Sequence, residues 1–218
     1  MKPVLASLLG RIRRSRSGVA ALEFALVLPF LMTAGLVGTE LTWYVLCNMQ
    51  VNQVAIQLAD NASRIGDTST IENRKIYEAD INDVFFGANL NGGKMLDLYN
   101  NGRVIISSLQ VNSGGKNYIA WQRCKGLKNV ASSYGVQGDI KTTGMGPTGQ
   151  EVVAPTGEAV IFVEINYDYV PLVSKAFVSS RNIKAVSSFI VRDKRDLTQI
   201  YQLSPASTVS ACNLFTSS

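Results

Sequence analysis

Apolar residues dominate one long stretch near the start of the chain. Residues 19–47 read VAALEFALVLPFLMTAGLVGTELTWYVLC, in which only Glu23 and Glu40 carry a charge. A helix rises about 1.5 Å per residue and needs about 20 apolar residues to cross a hydrocarbon core of about 30 Å. We therefore predict a transmembrane helix over residues 19–47, with Glu40, Trp43 and Tyr44 at its far interface.

The helical pattern continues beyond this stretch but becomes one-sided. Apolar residues recur at three- and four-residue spacing, and Gly66 then supplies a stop. This pattern predicts an amphipathic extension of the same helix over residues 48–66, packed on a globular domain. The stripe consists of Val51, Val54, Ala55, Leu58, Ala62 and Ile65.

The remaining residues, 67–218, predict an α+β head. A second amphipathic helix is expected over residues 70–88, with Ser69 or Thr70 as its cap and Ile76, Ile81, Val84 and Phe85 facing inward.

After residues 91–93 the residues become mainly β-branched and aromatic, which predicts strands, and Ser113-Gly114-Gly115 predicts a hairpin turn between the first two. Four strands of a small antiparallel sheet, packed on the helices, are predicted over residues 103–112, 117–124, 158–169 and 182–191. Residues 125–155 are rich in Gly, Ser, Thr and Pro, which predicts a long irregular loop or excursion. Such loops often determine binding, although most are simply exposed connections.

Charge is concentrated before the apolar stretch. The 218 residues include 21 basic and 16 acidic side chains, and five of the basic ones precede Gly18, where no acid occurs. The rest of the chain is therefore formally neutral. Residues 1–18 thus form a basic leader, and the chain that follows it is neutral. This distribution indicates a membrane protein with a cytoplasmic N-terminus, and not a nucleic-acid-binding surface. The five basic residues are Lys2, Arg11, Arg13, Arg14 and Arg16.

Glu23 lies only about 6 Å into the apolar stretch, where an acid costs on the order of 3 kcal/mol. Three interpretations compete. A secretory signal would end in a small-residue cleavage site, and no convincing one follows the long apolar stretch. An uncleaved signal anchor fits the length but explains Glu23 only by its reaching back toward the interface. Cleavage after Gly18 would create an ammonium on Val19, a counter-ion for Glu23 of a neighbouring helix.

Candidate chemistry is sparse. The chain has no histidine, and its three cysteines form no CxxC pair, so no catalytic, metal or cofactor site is predicted. The stretch GMGPTG (144–149) matches a dinucleotide-binding pattern, but no helix-forming segment follows it, which favours a turn. Cys124 and Cys212 form either a disulfide, which we favour, or two buried thiols.

The start of the apolar stretch carries a family resemblance. An Arg-rich leader, Gly18 and then VAALEF resembles the type IV prepilin processing motif. The longer string GVAALEFALVLPFLMTAGLVGTEL resembles the TadE-like minor pseudopilins of the tight-adherence (Tad) pilus, a system whose major pilins are far shorter. The resemblance implies a pilin-like fold, cleavage between Gly18 and Val19 by a prepilin peptidase, and recognition or inter-subunit contact through Glu23 and Phe24. TadE-like proteins are also similar near Tyr167, Tyr169, Pro171, Leu172 and Arg192.

Helix packing is a further expectation within the membrane. Pro29 has no N–H group and therefore removes one backbone hydrogen bond of the helix, so a local kink or break is expected there. Gly35 and Gly38, with Ala34, offer small surfaces where another helix could approach, although lipid contact explains them equally well.

The resemblance implies a bacterial inner-membrane protein with a periplasmic head, a minor pilin or pseudopilin that assists pilus assembly and surface adhesion. Incorporation into the extracellular fibre is the second location that the resemblance implies. Its implied partners are the prepilin peptidase, other Tad pilins and pseudopilins, an inner-membrane platform protein and, through that platform, a secretion ATPase. The alternative is an uncleaved membrane anchor whose head binds an envelope partner. The resemblance does not separate TadE-like from TadF- or TadG-like roles.

Overall fold

The computed structural model describes residues 17–67, 73–175 and 181–217. The predicted α+β class is confirmed: a long N-terminal helix is followed by a head in which a helix packs on a four-stranded antiparallel sheet. Contacts divide the chain into two compact units. The first contains the helix up to Trp43 and residues 171–175, and the second contains Tyr44–Val170 and residues 181–217. The leader residues 1–16 lie outside the described residues.

Helix α1 is a single helix of 48 residues, Ser17–Arg64. It continues through Pro29, where a kink or break was expected, so the helix is not broken there. The last third of α1 buries the predicted stripe in the second unit, where Val51, Val54, Ala55, Leu58 and Ala62 are almost fully buried. Ile65 falls just past the helix end and is only half-buried. Cys47 is buried at the start of this stripe.

Arg195 caps the C-terminus of α1. Its Nη2 donates to the backbone carbonyls of Ser63, at 3.1 Å, and Ile65, at 2.5 Å. These carbonyls have no partner inside the helix, and a cation is also favoured at this end of the helix dipole. Burial lowers the pKa of Arg195 to about 10. The resemblance pointed to Arg192, but that side chain is exposed, and the buried arginine lies three residues further on.

We predict that Arg195→Met lowers the free energy of unfolding by about 2 kcal/mol, because the two carbonyls lose their buried donor. Urea unfolding of the detergent-solubilised full chain would measure this. Arg192→Met is the matched control and should change stability by less than about 0.5 kcal/mol. Equal losses in the two variants would contradict the capping role.

The second helix differs from its prediction. Helix α2 is Glu78–Leu96, so the expected helix over residues 70–88 begins too early and ends too early. The expected caps, Ser69 and Thr70, lie outside the described residues. Residues 73–77 are extended because Arg74 and Tyr77 form parallel bridges with Arg195 and Tyr201, a pairing that no local pattern reveals.

The N-terminus of α2 is held by its own first turn and by the sheet. The Tyr77 N–H donates to the Asp80 carboxylate at 2.9 Å. Glu78, the first helical residue, is buried in an ion pair with Arg123 of the sheet. Ile81 and Phe85 face inward as predicted, whereas Val84 is half-buried and Ile76 is buried from the extended segment.

The sheet contains four antiparallel strands, which follow the short helix α3, Leu98–Asn101. The strands are β1 Gly102–Val111, β2 Asn117–Lys125, β3 Ala159–Asp168 and β4 Asn182–Ile190, and these bounds agree with the predicted ones to within one residue at each end. Their order in the sheet is β2-β1-β3-β4. The central strand β3 is buried from Ala159 to Tyr167, which indicates that both of its faces are covered.

The loop between β2 and β3 contains no helix or strand, as predicted, and most of its residues are exposed, but a few of its apolar residues pack on the sheet. Its Met145 and Ala154 join a buried cluster with Leu109, Ile119, Val160 and Phe162 of the strands. Ser132 and Ser133 donate to the buried carboxylate of Glu164 on β3. The predicted turn at 144–149 is closed by paired hydrogen bonds between Met145 and Val152.

The C-terminal residues lack helices and strands but are firmly attached. A disulfide joins Cys124 of β2 to Cys212, across a sequence separation of 88 residues. Buried Arg103 donates to the carbonyls of Gly126, Cys212 and Leu214. Gly126 has a φ of 117°, and a Cβ there would lie 2.2 Å from the Gly102 carbonyl oxygen, so glycine is required beside this junction.

Candidate functional site

Residues 18–36 of α1 are exposed on every side of the helix and are almost entirely apolar. An 18-residue window of this helix has a mean hydropathy of 2.0, and none of it is buried. The core helix of a soluble protein would bury such a surface. A solvent-exposed apolar surface of this extent needs lipid or protein around it, and its length suits a bilayer.

The predicted processing site lies in the first turn of this helix. Gly18 and Val19 are exposed, as are Glu23 and Phe24 about one turn later. Among the described residues, Glu23 has no hydrogen-bond or ion-pair partner. The structure therefore places all four residues where another molecule could reach them, and the Glu23 carboxylate would need a counter-ion in lipid.

Threonine hydroxyls in this helix are satisfied by the backbone. Thr33 donates to the carbonyl oxygen of Pro29 at 2.7 Å, and Thr39 and Thr42 donate at 2.9 Å to those of Gly35 and Gly38. Such bonds remove the cost of placing hydroxyls in an apolar environment. The polar residues of the segment are thus compatible with lipid contact.

The two glycines proposed for helix packing have open surroundings. Gly35 and Gly38 are exposed, and a Cβ built on either would meet no described atom outside its own turn of helix within 4 Å. Packing inside this chain therefore does not require glycine at these positions. Any need for a small residue would come from another molecule.

Glu40 is the one fully buried acid of the apolar segment. Its carboxylate accepts the backbone N–H of Leu172 at 3.3 Å and that of Val173 at 2.7 Å. Both residues belong to the same compact unit as the helix up to Trp43. The sequence pattern placed Glu40 at an interface but did not reveal this partner, which lies more than 130 residues away.

The tyrosines near the end of β3 also contact the helices. The Tyr167 hydroxyl donates to the Leu96 carbonyl of α2 at 2.8 Å, and burial raises the pKa of Tyr167. The Tyr169 ring packs edge-on against Tyr44, with 5.1 Å between the ring centroids. Tyr167 and Tyr169, which belong to the stretch that resembles TadE-like proteins, therefore have a packing role. Tyr44 is packed against the head as well.

No group that could hold a metal ion is found: within residues 17–67, 73–175 and 181–217, no three Cys, Asp or Glu side chains converge. The main feature of this region is an exposed apolar helix followed by an α+β head, and Glu23 near the start of the helix has no partner among the described residues. These features define a class of protein in which one membrane-type helix is joined to a folded head.

Comparison with known proteins identifies the segment more closely. Residues 18–60 match the family model described as TadE-like protein, which confirms the resemblance to that family. The match and the apolar helix fit a protein associated with the Tad pilus and anchored in a membrane. The match ends within α1, so it does not include the sheet. No curated protein and no solved structure matches the chain.

Proposed function

We propose that the chain is a minor pilin or pseudopilin that takes part in assembly of a Tad pilus and so in surface adhesion and biofilm formation. The observation that carries the proposal is the coincidence of the TadE-like match, residues 18–60, with an exposed apolar helix whose Glu23 has no partner among the described residues. TadE-like proteins are structural, and no catalytic role is proposed for this chain.

In this proposal a prepilin peptidase cuts between Gly18 and Val19. The cut removes the basic leader and creates an ammonium on Val19. When two helices pack side by side, that ammonium neutralises Glu23 of the neighbour. The pair sets the axial register of the two helices, because an unpaired charge at this depth costs on the order of 3 kcal/mol.

The proposed topology follows from the charge distribution. The basic leader remains on the cytoplasmic side, and the helix over residues 19–47 crosses the inner membrane. Residues 48–66 and the head, 67–218, then lie in the periplasm before any entry into the fibre. The proposed partners are the peptidase, other Tad pilins and pseudopilins, the membrane platform protein and, through it, the secretion ATPase. Gly35 and Gly38 are the proposed points of close helix approach.

A second candidate function is an uncleaved, membrane-anchored periplasmic protein with a partner-binding head. It accounts equally for the exposed apolar helix. It differs in two respects, because it keeps the leader and gives Glu23 no counter-ion.

We predict that protein recovered from the membranes of piliated cells begins at Val19, with or without a methyl group on the new amine. Intact-mass and N-terminal peptide spectrometry would measure this. In a Gly18→Val variant the leader should remain attached, because the peptidase acts at this glycine. A Cβ at Gly18 meets no described atom within 4 Å, so a folding defect is not expected. Fully piliated cells whose protein still begins at Met1 would refute the pilin proposal and favour the anchor.

A further inference from the structure

The turn that follows β3 has an unusual relation to the membrane helix. Residues 171–175 form no helix or strand, yet they share a compact unit with α1 up to Trp43. Their attachment is the pair of hydrogen bonds from the Leu172 and Val173 N–H groups to the Glu40 carboxylate. The position of Glu40 on the helix therefore fixes the depth of this turn.

That depth is the edge of the hydrocarbon core. Glu40 lies 21 residues after Val19, which corresponds to about 32 Å along a helix, against a core of about 30 Å. When the helix spans the bilayer with Val19 at one interface, Glu40 reaches the other. The backbone bound to Glu40 must lie at that same interface.

The side chains of the turn suit such a position. Leu172 is 55% exposed and Val173 is 37% exposed, although both backbone N–H groups are bonded. No charged residue occurs in the stretch 170–173, and exposed Lys175 follows it. Apolar side chains can enter the acyl boundary while a lysine reaches the head-group phosphates.

The hydrogen bonds of the backbone in this turn also suit contact with lipid. An N–H group that leaves water without a partner costs free energy, which is why irregular backbone rarely contacts lipid. Here the carboxylate accepts two such groups. Glu40 thus lets an irregular turn lie against the bilayer, and its own charge is stabilised by the same two donors.

We propose that the turn 171–175 is a second membrane-contact element, in which Leu172 and Val173 enter the phospholipid interface beside α1 and Glu40 holds the turn in place. This inference rests on insertion of α1 into a bilayer, which the proposed function shares. It requires neither cleavage after Gly18 nor a role in pili. The consequence is that the first compact unit contacts the membrane through this turn as well as through α1.

The test places a fluorescent probe on Leu172→Cys in the full chain, in vesicles of phosphatidylcholine and phosphatidylglycerol. A Cys47→Ala background leaves only the bonded Cys124 and Cys212 besides the new thiol. We expect a nitroxide on the shallow part of the lipid to quench the probe. Aqueous iodide should quench it about fivefold less than a probe at Val136, because the interface excludes the ion. Val136 is an apolar head residue with a similar exposure of 53%.

Two further variants separate the possible failures. A probe at Leu31, on the exposed mid-part of α1, should be quenched only by deep nitroxides. If it is open to iodide, membrane insertion itself is wrong, and the proposed function fails with it. If the Leu31 probe lies in lipid but the Leu172 probe is open to iodide, the turn lies in water. If the Leu172 probe is shielded from both quenchers, the turn lies against protein. Either result overturns this inference alone.

Adding Glu40→Leu to Leu172→Cys should restore quenching of the Leu172 probe by iodide, because the turn loses its attachment to α1. Unchanged shielding of the probe would refute the positioning role of Glu40.

Discussion

Replacing Glu23 by Gln should abolish surface pili while the protein remains folded and inserted in the membrane. Glu23 is exposed on α1 about one turn after Val19 and has no partner among the described residues. An amide cannot neutralise the ammonium of a neighbouring subunit. The loss of about 3 kcal/mol per contact corresponds to about a hundredfold weaker association of two helices.

The measurement compares pilus counts by electron microscopy, in a deletion strain that carries either the wild-type or the variant gene. Leu22→Ala is the matched control, because Leu22 is the neighbouring residue and is 63% exposed, but its side chain carries no charge. This control should leave pili normal. Mass spectrometry of the variant protein must still find Val19 at its N-terminus, since a retained leader would report failed processing and not failed assembly. Normal pili with Glu23→Gln would show that the carboxylate does not set the register.

The sequence predicted those elements whose signals are local. Each strand was located to within one residue at either end, because alternating β-branched and aromatic residues end at turn-forming residues such as Ser113-Gly114-Gly115. Helix α1 was predictable for the same reason, since its apolar pattern is continuous from Val19 to Ala62. Of the two outcomes expected at Pro29, a kink or a break, the continuous helix excludes the break.

The errors concern contacts between distant residues. The start of α2 at Glu78 depends on the pairing of residues 73–77 with residues 195–201, which composition does not encode. Glu40 and Arg195 are buried, and their backbone partners lie more than 100 residues away in the chain. The charge of Glu40 inside an apolar helix is the signal that could have prompted a search for its partner, whereas no such signal marks Arg195. The loop between β2 and β3 is irregular as predicted, but the burial of Met145 and Ala154 against the strands was not predicted, because no periodic pattern marks them.

Breaking the bond between Cys124 and Cys212 should produce the largest loss of stability available from a single substitution in the head. The bond closes a loop with a sequence separation of 88 residues. In the chain-entropy treatment, opening a loop of this length raises the entropy of the unfolded chain enough to lower the free energy of unfolding by about 4.6 kcal/mol. The carbonyls of Cys212 and Leu214, which bind the buried Arg103 guanidinium, would also lose their anchor.

Urea unfolding of the solubilised full chain can distinguish loss of the bond from loss of the individual side chains. Cys124→Ser, Cys212→Ser and the double variant should lose nearly equal stability, because either substitution alone removes the whole cross-link. A reductant should destabilise the wild-type protein by a similar amount and leave the double variant unchanged. Additive losses in the double variant, or a wild-type protein indifferent to reductant, would mean that packing of the tail through Arg103 and not the covalent bond holds the C-terminus. Retention of the tail under reducing conditions would then depend on the Arg103 contacts alone, and Arg103→Met would become the more damaging change.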